Sequence, residues 1–151
     1  MHLPKGITGF YRSGSTPPPQ VSLREFKSAG ASAARMVRGR VLPCTQKFTQ
    51  KFHDVLISLP EAKKEVRVLC NAHYPVVAFA LPAATPDALD IEFCDCPELA
   101  PHFDGYTVLS QREATAPVQE ADLSGLDECE LDQVRYWEPQ CVGNVIFNYW
   151  D

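Results

Sequence analysis

The sequence predicts a single α+β domain spanning residues 1–151. Its antiparallel sheet of four to six strands packs against an N-terminal helix and C-terminal helices. Three observations carry this. Period-two alternation is clustered between residues 40 and 81, helical patterns flank it on either side, and no repeating strand–helix unit of the kind that builds a parallel sheet is present. A chain of 151 residues is of ordinary single-domain length, and 45% hydrophobic with 22% charged residues marks it as globular rather than disordered.

The elements follow in order. Ile7 to Tyr11 reads as a short strand, and Pro17-Pro18-Pro19 as an extended surface connector without backbone donors. Ser22 with Glu25 fits a capping box opening a helix from Ser22 to Arg38. Leu23, Phe26, Ala33 and Val37 form its apolar stripe, Arg24, Lys27, Arg35 and Arg38 lie off it, and Gly39 ends it. Phe52 to Leu59 alternates with His53, Val55, Ile57 and Leu59 on one side, and Glu65 to Asn71 alternates through Val66, Val68 and Cys70. Val76 to Leu81 is wholly apolar and central. Ala88 to Cys94 and Tyr106 to Leu109 are further strands, and Pro97 to Phe103 makes one or two helical turns. Residues 111–121 show no periodicity. Ser124 to Asp127 is a second capping-type start, leading an acidic helix through Glu128, Glu130 and Asp132. Val142, Val145, Ile146, Tyr149 and Trp150 form the stripe of a last helix, with Pro139 in its first turn and its apolar end docked in the core.

The net charge of −5 joins two unlike regions. Residues 1–51 hold nine Lys/Arg and one acid, whereas residues 52–151 hold five and eighteen. No apolar run approaches the roughly 20 residues of a membrane span, and no signal-peptide pattern opens the chain, so a cytoplasmic protein is expected. Stable disulfides are therefore not expected from the six cysteines. Phosphate-binding loops and metalloprotease motifs are missing, no acid/base pair stands out, and no catalytic residue or cofactor is assigned.

Three readings remain. Asp122, Asp127, Glu128, Glu130 and Asp132 would form an acidic partner-binding surface that steers a basic protein. The basic N-terminal helix, continued by Arg40, Lys47 and Lys51, would bind nucleic acid. Cys70, His73, Cys94 and Cys96 have the ligand chemistry of a zinc or thiol site, although their spacing lacks the paired repeats of strong zinc motifs. If the basic and acidic helices lie on separate faces, the acidic face is the expected binding surface.

The stretches Leu3 to Phe10, Val68 to Pro75 with Ala78-Phe79-Ala80, Tyr136-Trp137-Glu138-Pro139, and Val142 to Asp151 resemble small bacterial proteins of the immunity type. These neutralise polymorphic or contact-dependent toxins in the cytoplasm. The similarity covers about a quarter of the chain, and Asn144 stands where an acidic residue is expected after Gly143. The resemblance implies a non-enzymatic inhibitor of a cognate toxin, a basic enzyme such as a nuclease, with no cofactor. Tyr136, Trp137, Phe147 and Trp150 read as packing residues of that fold.

Overall fold

Helix α1 (Leu23–Met36) starts as the sequence predicts. Ser22 accepts a hydrogen bond from the Glu25 amide, although the reciprocal half of the capping box is not formed. The structure is a computed structural model that describes residues 1–44, 47 and 49–151. The helix ends in a Schellman turn, with Gly39 N–H donating to Ala34 O at 2.7 Å and Arg38 N–H to Arg35 O at 3.3 Å. The residue in the left-handed conformation is Arg38 (φ 58°), not Gly39. Gly39 is needed for a different reason: a Cβ there would lie 2.5 Å from the Ser58 carbonyl oxygen.

The sheet runs β1 (Arg40–Leu42), β2 (Phe52–Leu59), β3 (Lys64–Asn71), β4 (Val76–Ala80), β5 (Phe93–Cys94) in that spatial order, each pair antiparallel. The expected α+β class and antiparallel sheet are thus present. One strand departs from the antiparallel pattern: β6 (Thr107–Val108) pairs parallel with the start of β4. It shares that edge with β5, so β4 is flanked on both sides.

Strand alternation sorts side chains onto two faces. Val55, Ile57, Leu59, Val66, Val68, Cys70, Val77 and Phe79 point to α1 and to the 99–103 segment, which includes the short 3₁₀ turn Ala100–His102. Phe26 anchors α1 there with no exposed surface, which stabilises the docked helix by roughly 2–3 kcal/mol. Phe52, Leu69, Ala78 and Ala80 point the other way, to a core shared with α2 (Gln111–Thr115), the apolar side of α3 (Glu128–Trp137) and α4 (Val142–Ile146). The basic helix and the acidic helix therefore lie on opposite sides of the sheet.

Several boundaries differ from expectation. Helix α2 lies in the 111–121 stretch that shows no periodicity, and a complete Ser110–Glu113 capping box starts it. Helix α3 is capped by Asp127 with Glu130, not by Ser124. Pro139 follows the end of α3 and does not start α4, whose N-cap is Cys141. Helix α4 stops at Ile146, so Tyr149 and Trp150 lie beyond it. Trp150 is nevertheless buried.

Ile7 to Tyr11 is not a strand. Gly6 (φ 93°) and Gly9 (φ 85°) turn the chain sharply. The turn is bound instead by three buried side chains. Glu130 accepts from the Gly6 and Thr8 amides at 2.9 and 3.2 Å and from the Thr8 hydroxyl at 2.5 Å. Asn71 donates to Ile7 O and Ile146 O, both at 2.8 Å. Asn148 donates to Thr8 O at 3.1 Å. Residues from Leu3–Phe10, Val68–Pro75 and Val142–Asp151, which carry the resemblance, thus meet in one packed unit.

Candidate partner-binding surface

Helix α3 presents two different sides. Leu131 and Val134 pack toward the core, while Glu128, Asp132, Arg135 and Tyr136 are exposed. Glu130 belongs to the inner side and has no exposed surface. This corrects the expectation that its carboxyl takes part in an acidic surface: it serves as an internal clamp, also accepting from the Asp127 amide at 3.1 Å.

The other four acids are at or near the surface, and each has a partner. Asp127 caps α3 and lies 3.5 Å from Arg12. Asp122 accepts from the Ser124 hydroxyl at 2.6 Å and meets His2 at 3.1 Å. These contacts, the Ser124 bonds foremost, hold its pKa down at about 2. Glu128 and Asp132 share Arg135, at 3.2 and 2.7 Å. Such exposed pairs contribute only about 0.2–1 kcal/mol and are screened by salt, so a partner cation can displace Arg135 at small cost.

The aromatic residues beside these acids divide in two. Phe147 and Trp150 are buried, and Phe147 packs edge-on to Phe52 with centroids 5.9 Å apart. Tyr136 and Trp137 are 76% and 38% exposed, contrary to a pure packing role. Trp137 nevertheless makes two contacts within the protein. Its ring lies parallel to Trp150 at 6.3 Å, and its indole N–H donates to Gln133 at 3.0 Å. Next to it a cavity of about 650 Å³ is bordered by Leu89, Ile91, Glu138, Asn144 and Asp151. Leu89 is 55% exposed.

Cys70, His73, Cys94 and Cys96 do not assemble. Cys70 is buried among the residues facing α1, and burial pushes its thiol up to about 12. Cys96 is buried in the same core, with its thiol raised to about 11 by burial. Cys94 is half-buried on β5, and the His73 ring bonds Pro19 O at 2.8 Å. Among the described residues no group of three or more His, Cys, Asp or Glu is placed to hold a metal ion.

Asp54 and Arg67 carry no motif in the sequence, yet they form a buried ion pair at 2.9 Å. Comparison with protein-family models, curated proteins and solved structures finds no match to this chain. No helix among the described residues is long and apolar enough to cross a membrane.

Proposed function

We propose that the protein is a non-enzymatic, protein-binding inhibitor of the immunity type, acting in the bacterial cytoplasm on a cognate toxin with a basic surface, such as a nuclease. The observation that carries this reading is the exposed Tyr136–Trp137 pair on α3, with Tyr136 about one helical turn beyond Asp132 and about two beyond Glu128. Tyr and Trp are residue types that dominate binding energy at protein interfaces. Acids around them attract a basic partner and speed its encounter. The resemblance of the chain's stretches to immunity-type proteins supports the same reading. The test is co-purification of the tagged protein with the product of the adjacent upstream gene. Stoichiometric recovery of a basic toxin is expected, and its absence from the eluate overturns the proposal.

A second reading has its own observation. Arg24, Lys27, Arg35 and Arg38 are exposed on α1, across the sheet from α3. Their charge is not cancelled by the acidic helix, and a phosphate backbone is the partner such a basic face attracts. A mobility shift at low salt that weakens steeply as salt rises would favour it.

A further inference from the structure

We propose that the cavity at the C-terminal end of α3 receives an arginine side chain of a basic protein partner. The proposal rests on the reading of this protein as an inhibitor of a basic toxin, and it adds the residue type that the surface selects. The cavity, of about 650 Å³, lies between residues 137–140, the 89–91 segment and residues 147–151. Part of its wall is apolar and reachable: Trp137 and Leu89 are 38% and 55% exposed, and Ile91 is half-buried.

Charge decides what covers this wall. Asp90, Glu138 and Asp151 line the cavity, and among the described residues no lysine, arginine or histidine does. Thr45, Gln46 and Phe48, which lie outside the description, are uncharged. None of the three carboxylates belongs to an ion pair among the described residues. This sets them apart from Asp122, Asp127, Glu128 and Asp132, each of which already meets a basic side chain. Lys51, whose amide bonds the Asn148 carbonyl at 2.9 Å, holds its ammonium over the Phe10 ring at 5.2 Å instead.

A cation with an apolar body complements this combination. An arginine guanidinium is planar, stacks on an indole and can donate to two carboxylates, while its stem covers aliphatic wall. A bare metal ion would leave Leu89 and Ile91 uncovered, and an anion is repelled. Glu138 offers a clean probe of the charge. It is the left-handed C-cap of α3, at φ 48°, and its amide donates to the Val134 carbonyl. Glycine keeps that bond and suits that conformation better, so Glu138→Gly removes a carboxylate from the cavity without loosening the fold.

The experiment is an NMR titration of the ¹⁵N-labelled intact protein with acetyl-Gly-Arg-Gly-amide, and in a second arm with its uncharged citrulline counterpart of the same shape. The arginine peptide is expected to give saturable shifts at the Trp137 indole N–H and the Leu89 and Ile91 amides, with the citrulline peptide at least about tenfold weaker. Glu138→Gly should weaken the arginine peptide at least about threefold while its unfolding midpoint stays level or rises. The proposal is overturned if the arginine peptide gives no saturable shift at these positions up to about 50 mM at low salt, if the citrulline peptide binds as well, or if Glu138→Gly leaves the affinity unchanged. No toxin enters this titration. An arginine response without a recovered toxin would uphold the cavity and overturn the inhibitor reading, and toxin recovery without an arginine response would do the reverse.

Discussion

Thr8 and Glu130 are both fully buried, and the Thr8 hydroxyl donates to the Glu130 carboxyl at 2.5 Å across 122 positions of sequence. This bond, with those from the Gly6, Thr8 and Asp127 amides, fixes the N-terminal turn to α3. Glu130→Ala strands four donors at once, three of them buried. The expected loss is about 3–5 kcal/mol, with Thr8→Val costing about 1–2 kcal/mol. Urea denaturation monitored by tryptophan fluorescence measures both. A loss under about 1 kcal/mol for Glu130→Ala contradicts the clamp.

The end of α1 predicts two substitutions of opposite sign. Gly39→Ala places a Cβ against the Ser58 carbonyl, 2.5 Å away, and should destabilise by about 1–3 kcal/mol. Arg38→Gly relieves a left-handed residue at φ 58° and should stabilise by about 0.5–1 kcal/mol. Thermal unfolding of the two variants separates them. Equal effects would mean that Gly39, not Arg38, carries the left-handed turn.

Cys44 is exposed as a residue, and partial desolvation of its thiol, followed by the charge of Asp54, raises its pKa from 9.0 to about 11. Its thiolate at neutral pH is therefore about 100-fold scarcer than that of an ordinary cysteine. Iodoacetamide labelling followed by peptide mass mapping should find Cys44 reacting about 100-fold more slowly than a small thiol. Rapid modification at Cys44 would contradict the raised pKa.

Asp122 gives a pH dependence with a defined sign. Its pKa is lowered from 3.8 to about 2 by the Ser124 hydroxyl, the Ser124 amide and His2, in that order. A carboxyl depressed in the folded state contributes stability above its unfolded value and loses it as pH falls through the folded one. The tie between the first residues and the 122–124 turn should therefore loosen as pH falls from about 4 to about 2. Carbon-detected NMR should place the Asp122 midpoint near 2 and move it upward in Ser124→Ala. A wild-type midpoint near 3.8 would contradict the arrangement.

The sheet was legible because alternation survives in a half-covered strand. Phe52–Leu59 forms as read, with Val55, Ile57 and Leu59 toward α1. Ile7 to Tyr11 shows the limit of that reading. A short, mostly apolar run broken by Gly9 satisfies strand statistics, but long-range side-chain acceptors and donors compete for the backbone there and win. The Ser110–Glu113 box that starts α2 was present in the sequence without a periodic stripe behind it, since a five-residue helix is too short to show one. Glu130 was misplaced because a run of acids does not reveal which one a helix turns inward. The capping geometry from Asp127 settles that rotation. Asp54 and Arg67 depend on β2–β3 register, with Leu56 opposite Arg67 and Asp54 opposite Leu69, and no local pattern announces it.

The outer face of α3 as a protein-binding surface is tested most directly by isothermal titration of the intact protein against the purified product of the adjacent upstream gene. Wild type should bind, and Tyr136→Ala, a change at a 76% exposed residue, should weaken binding about 10-fold or more without altering the unfolding midpoint. Reversing α1 charges with Arg24→Glu and Lys27→Glu should leave affinity within about threefold. An unaffected Tyr136→Ala, or a collapse of binding in the α1 variants instead, would contradict the account.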